Sequence, residues 1–384
     1  MKHYKRILEI LIVASPLINF SLLQGSKVPL FYLIGFATLA VFLVIDRRVS
    51  THLFGLEDLF FLGFLLLGTI SWFLNKSQFS SASGLTQLIN HCLTYILFKF
   101  CIVLLFKVNA DPTMMMRKYF RIMSWWAFVG IAIHIAGIIY PKWLIAFAAL
   151  TNNSGNFSVG AIGESLATAR SFGVGPEPSF WSFLLAMNLS VALIIPRPAK
   201  TGVAVTVLNL LLTLGRTGIL ITLSILIIKF AKSSPAAKLL LIFIVTGLVL
   251  VGFDYFEFAQ LATVDASFEQ RIGSLFKAAD VIAANPFFGI GLGNFKDFAI
   301  EHELPFADVF NLFLSVFVGS GLLGAFCYWA MLGAIFFRME RKYDLPFYAA
   351  IIGWLTVSAY NLPFVWILFA ILIHAKNNYS GQKS

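Results

Sequence analysis

Apolar runs of helix length, separated by short polar breaks, recur along nearly the whole chain. They fit helices of roughly 17–25 residues, enough to cross about 30 Å of hydrocarbon. The spacing predicts twelve spans, at residues 7–23, 30–45, 59–74, 88–106, 121–140, 179–196, 201–215, 217–231, 239–253, 321–337, 345–359 and 361–375. Two long polar segments interrupt them, 141–178 and 254–309. In the first, residues 151–163 are rich in Asn, Ser and Gly, which suits a loop. It ends at Pro176-Glu177-Pro178, where the prolines favour an extended backbone at Glu177. In the second, Phe268, Ile272, Leu275, Phe276, Ala279, Ile282 and Ala283 recur at helical spacing, while Glu269, Gln270, Lys277 and Asp280 face away. That is an amphipathic helix suited to lying on a membrane surface, with Arg271 at the border of its stripe.

Composition agrees with the pattern. Of 384 residues, 59% are hydrophobic and 12% charged, whereas soluble domains carry about 25% charged residues. Cys92, Cys101 and Cys327 all lie in apolar runs at no metal-ligand spacing, which argues against a disulfide scaffold or a zinc site. The basic start, Met1 to Arg6, resembles a signal peptide but leads to no small-residue cleavage site, so it reads as the first retained span.

The net charge of +10 would suit a nucleic-acid binder, but its distribution does not. With the N-terminus inside, the inner loops hold nineteen Lys/Arg against seven Asp/Glu, and the outer segments hold eight against eleven. The basic charge therefore reports orientation. The same count settles two ambiguous stretches. Residues 201–230 read as two short spans turning near Arg216, because one long helix would put Lys229, Lys232 and Lys238 outside. Residues 309–319 read as a half-buried outer helix that turns at 319-GSG-321 into a single span. The expected fold is all-α: one polytopic integral membrane domain over 1–384, about twelve transmembrane helices, both termini cytoplasmic, and large outer loops at 141–178 and 254–309.

Three outer arginines, Arg170, Arg216 and Arg271, carry the candidate chemistry. A cation in or near lipid is costly without a partner, so the three together suggest an anion site. ATP is not found outside the cytoplasm, which leaves a lipid-linked phosphate as the anion. Each signal has a simpler reading. An outer arginine can anchor a headgroup, Glu177 can favour the start of the next helix, and His302, between Glu301 and Glu303, can be an ordinary surface histidine. Gly289-x-Gly291-x-Gly293 can cradle a phosphate or form a plain turn, and no strand precedes it as a dinucleotide site requires. His91 and His134 fall within spans and read as packed neutral rings; Lys99, mid-span, either snorkels to the surface or pairs inside the bundle.

The order of these elements resembles the O-antigen polymerase family, related to the O-antigen ligases, over roughly residues 165–340. The resemblance rests on Arg170-Ser-Phe-Gly-Val-Gly-Pro-Glu177-Pro178-Ser179, then 215-GRTG-218, then Arg271 followed by 285-NPFFGIGLGNF-295, then Asn311 and 321-GLLG-324. Ligases typically place a His immediately before that Asn, and here the position is Phe310. This implies a polymerase acting at the periplasmic face of the bacterial inner membrane in lipopolysaccharide biosynthesis. It would transfer a growing glycan from undecaprenyl pyrophosphate to an incoming lipid-linked repeat unit. Arginines would bind the pyrophosphate, being bidentate and always charged, with neither metal nor cofactor, and a single displacement would invert the anomeric centre. The implied catalytic residues are Arg216, Arg271, Glu177 as first candidate for the base, and His302. The implied substrate-binding residues are Arg170, Asn294, Asp308 and Asn311. Implied partners are the donor and acceptor lipids, membrane lipid, a chain-length regulator and a flippase, with no nucleic acid. The alternatives are a ligase acting on a lipid A core acceptor, and a lipid-linked oligosaccharide flippase.

Overall fold

The computed structural model describes residues 2–17, 30–45, 54–75, 81–140, 171, 173, 178–213, 215–230, 266–306, 308–357 and 362–381. Among these there are thirteen α-helices and no strand. They are α1 (Lys2–Ala14), α2 (Leu30–Ile45), α3 (Leu56–Leu74), α4 (Ser81–Val108), α5 (Pro112–Ile139), α6 (Pro178–Ala192) and α7 (Lys200–Thr213). After them come α8 (Arg216–Phe230), α9 (Ala266–Ala284), α10 (Phe295–Glu301), α11 (Leu312–Arg338), α12 (Leu345–Thr356) and α13 (Pro363–Gly381). α3, α4 from Gly84, α5 and α11 are each long and apolar enough to cross a membrane, and α2, α6, α7, α12 and α13 are shorter apolar helices. The all-helical polytopic architecture is the expected one. The predicted span at 239–253 and most of the first long loop lie outside the described residues.

Local signals set the helix ends. Asp111 accepts hydrogen bonds from Thr113 N and Met114 N, and Pro112 follows it at a position whose missing N–H costs nothing. The stretch 200–230 divides at Gly215 into α7 and α8, as the charge count requires. α6 is buried along almost its whole length and packs against α5, α7, α8 and α12; an apolar helix without a polar face belongs in the interior.

α3 and α11 form an antiparallel pair. Glu57 meets Arg338 at one end, Phe64 meets Tyr328 in the middle, and the Ser71 hydroxyl donates to the Gly319 carbonyl at 2.8 Å at the other. Lys99 pairs inside the bundle: its Nζ lies 3.0 Å from Glu57 and 2.7 Å from Asp58, and the Tyr95 hydroxyl donates to Asp58 at 2.8 Å. Charges in an apolar interior persist where they are paired in this way.

The turn predicted at 319–321 is a kink within α11 at Gly321 (φ 65°, ψ −173°). The 285–291 loop fills the gap. Ile290 N donates to the freed Val318 carbonyl at 2.9 Å, and Leu322 N donates to Pro286 O at 2.8 Å. The kink thus keeps its backbone groups satisfied, a strict requirement where no water reaches. Gly289 sits so close that a Cβ would collide with the Val318 carbonyl oxygen. The glycine run thus docks onto α11 through Gly289.

Candidate functional site

The arginine-bearing elements meet at one end of the bundle. α6 begins at Pro178, and its first turn presents Ser179 and Ser182. α8 begins with Arg216, directly after Gly215, whose N–H donates to the Thr213 hydroxyl at 3.1 Å. Gly218 N donates to the Ser182 hydroxyl at 3.1 Å, and a Cβ on Gly218 would lie 2.6 Å from Ser182 Cβ. This glycine lets α8 close onto α6 and sets Arg216, whose side chain is exposed, beside the first turn of α6.

Arg271, half-buried on α9, reaches three separate elements. Its Nη1 donates to the Thr356 carbonyl at 2.6 Å, its Nη2 donates to the Ser179 hydroxyl at 3.2 Å, and its guanidinium carbon lies 5.1 Å from the centre of the Phe310 ring. Asn311 caps α11 by accepting from Leu314 N at 3.0 Å, and its Nδ2 donates to the Leu355 carbonyl at 3.0 Å. Arg271 and Asn311 thus take neighbouring carbonyls at the end of α12, groups left without partners where a helix stops.

Ser171 and Gly173, described residues of the first long loop, lie at the same end of the bundle. Ser171 N donates to Leu212 O at 2.8 Å, and the Ser171 hydroxyl donates to Asn209 Oδ1 at 3.1 Å. Asn209, fully buried, also donates to the Ala127 carbonyl at 2.7 Å. Gly173 adopts a positive φ of 54° directly against the Trp181 ring. Arg170 and Glu177 themselves lie outside the described residues.

Arg271 and the N-terminal ends of α6, α8 and α11 meet here, with Arg216 as the first residue of α8, and each such end carries partial positive charge. The arrangement favours an anion with several oxygens, since a guanidinium presents paired donors.

The remaining sequence candidates are placed elsewhere or in other roles. His302 is exposed at the end of α10, stacked on the Phe298 ring at 4.0 Å, with Nδ1 at 2.9 Å from the Phe298 carbonyl. Asn294 is buried under the glycine turn, where its Nδ2 donates to the Ile290 carbonyl at 2.8 Å. Neither lies among the groups around Arg271 described above. Asp308, two residues before Phe310, is exposed at the surface. The protein mass around its carboxyl still pushes its pKa above the ordinary value, and Lys296 pulls it part of the way back.

Sequence reasoning missed Ser179, Phe310 and Thr356 as the surroundings of Arg271. Ser179 and Phe310 stood in the motifs but without an assigned partner. Thr356 contributes a backbone carbonyl, which no side-chain pattern reveals.

Residues 201–329 match the family model described as O-antigen ligase. The matched stretch runs from α7 into α11 and includes Arg216, Arg271, the glycine turn and Asn311. It covers about a third of the chain and supports a relationship of this region to the O-antigen polymerase/ligase superfamily. A comparison with curated proteins gave no match.

Proposed function

We propose that this chain, a membrane protein of the O-antigen polymerase/ligase superfamily, is a polymerase of surface polysaccharide. It would act at the periplasmic face of the inner membrane, with both termini cytoplasmic. In the reaction, a hydroxyl at the non-reducing end of an incoming lipid-linked repeat attacks the anomeric carbon of the growing glycan. The bond from that carbon to the pyrophosphate oxygen breaks, undecaprenyl pyrophosphate leaves, and the hydroxyl proton passes to a base. A single displacement of this kind inverts the anomeric centre.

The observation that carries the reading is the setting of Arg271. A guanidinium held by the Ser179 hydroxyl, the Thr356 carbonyl and the Phe310 ring is oriented before any substrate arrives. Fixed donors stabilise developing charge without reorganising during the reaction. Arg271 and Arg216 would take the charge growing on the pyrophosphate, in the role that a divalent metal plays elsewhere. Arg170 would contact donor or acceptor phosphate or glycan. Asn311 and Asp308 flank Phe310 and would line the acceptor side, and Asn294 would support the turn beneath them. Glu177 is the first candidate for the base, directly before the α6 terminus, with His302 and Asp308 after it. No cofactor enters this scheme. A chain-length regulator and a flippase would be its functional partners.

A ligase is the second reading, favoured by the description of the matching family model. Phe310 weighs against it, because its ring packs on Arg271 at the position where a ligase would carry an activating histidine. The test is a strain lacking this gene, complemented with wild type or with Arg271→Lys or Arg216→Lys at matched protein level, with the surface glycan read by gel. A polymerase deletion leaves single repeats on the lipid core, and the Lys variants should resemble the deletion. A deletion with no glycan on the core points to a ligase or flippase, and a normal ladder in both Lys variants refutes the arginine assignment.

A further inference from the structure

α9 has three faces rather than two. Ser274, Ala278 and Val281 are buried, with half-buried Arg271 on the same side, and Ala278 and Val281 pack with Ile290, Phe306, Val309 and Val318. On the far side Phe276 is 72% exposed, next to exposed Ala279 and Ala283. Along the remaining flank Lys277 and Asp280 form a surface ion pair at 3.3 Å. The face of Ser274, Ala278 and Val281 attaches the helix to the bundle, with Ile282 of the apolar stripe packed at its edge.

The exposed apolar face does not stand alone. Phe287 and Phe288, in the loop that follows α9, are 60% and 37% exposed. The hydrogen bond from Leu322 N to Pro286 O sets that loop beside the α11 kink, where Leu322, Leu323 and Phe326 are 45%, 43% and 61% exposed. α11 is long and apolar enough to cross a membrane, so these side chains belong to its lipid-facing side. The apolar surface continues from a transmembrane helix, across the loop, to α9.

We propose that α9 lies within the headgroup and upper acyl-chain region of the bilayer, with Phe276, Phe287 and Phe288 immersed among lipid chains. Lys277 and Asp280 face water, and Arg271 is held on the bundle side at headgroup depth. The occupant of this surface is membrane lipid, not a protein partner. A helix with separate apolar and charged flanks is suited to that depth. The depth matches where the phosphates of any lipid-linked substrate must sit, but the proposal stands without the glycan reading.

The test uses the unaltered protein in vesicles of phosphatidylethanolamine and phosphatidylglycerol. It is labelled with a lipid-partitioned photoreactive carbene reagent, and the sites are mapped by peptide mass spectrometry. Phe276, Phe287 and Phe288 should be modified to within about twofold of Phe326, and Asp280 and Glu303 severalfold less. Labelling of Phe276 at the Glu303 level would overturn the proposal, since α9 would then stand in water. Spin labels in a variant lacking Cys92, Cys101 and Cys327 give an independent readout. A label at Phe276→Cys should relax faster with oxygen than with an aqueous nickel chelate, and one at Asp280→Cys the reverse. Equal nickel access at both positions would also overturn it. Neither readout depends on enzymatic activity, so a failed glycan assay and a failed immersion test are distinguishable.

Discussion

Arg271 and Ser179, 92 residues apart in sequence, are joined by a 3.2 Å hydrogen bond from Nη2 to the hydroxyl. This contact links the second long loop to the motif that closes the first. Removing the hydroxyl with Ser179→Ala is expected to slow polymerisation about tenfold, the effect of about 1.4 kcal/mol on a barrier. Ser179→Thr keeps the hydroxyl and should retain most of the rate. Turnover of a lipid-linked repeat in membranes at matched protein level would show this, and equal losses in both variants would contradict the role.

Gly321 and Gly333 lie on the same helix and should respond in opposite ways. At Gly321 the positive φ and the Phe287 carbonyl leave no room for a Cβ, whereas nothing lies within 4 Å of one at Gly333. Backbone strain of this kind costs about 1–3 kcal/mol before any collision is counted. Gly321→Ala should lower the melting temperature in detergent by several degrees or prevent folding, and Gly333→Ala should leave it unchanged or slightly higher. A tolerated Gly321→Ala would mean that the loop is not locked into the kink.

The Lys99 cluster gives a prediction about buried charge. Its ammonium group serves both Glu57, which is fully buried, and Asp58. Lys99→Met leaves carboxylates short of a counter-charge, a loss of about 3–5 kcal/mol for buried pairs. The double variant Lys99→Met/Asp58→Asn should recover part of that loss in a thermal melt. If the second change makes matters worse, the lysine is not neutralising Asp58.

Asp308 should make stability depend on pH in a defined direction. Its carboxyl is raised in the folded protein, so the folded state binds its proton more readily than the unfolded chain does. Stability from this group is therefore full below the unfolded pKa of about 3.9 and is lost as pH rises through the folded pKa. Asp308→Asn should be the more stable protein at neutral pH, and the difference should vanish at acid pH. Melting curves across that range decide it, and a gap that widens on acidification would reverse the assignment.

The site was legible to different depths at different residues. Arg216 was placed correctly at a break between two helices, because Gly215 and the flanking lysines are local signals. Arg271 was singled out by its position on α9, but its partners were not. They come from α6, α12 and the segment before α11, which sequence separates from it by tens of residues. Of the α9 stripe, Phe276, Ala279 and Ala283 are exposed and Ile282 packs against the core, while Ser274 and Ala278, outside the stripe, supply the buried face.

By itself the sequence determined the all-helical membrane architecture, the break at Gly215 and the bend at 319–321. Hydropathy, lysine and arginine counts and glycine geometry act within a few residues, so they can be read along a chain. The tertiary structure alone decided that Lys99 pairs inward, that the glycine run docks into α11, and that Arg271 is clamped by Ser179, Thr356 and Phe310. Each of these depends on which distant groups packing brings within hydrogen-bonding range, and the free-energy cost of leaving a buried charge or backbone group unpaired then selects the partner.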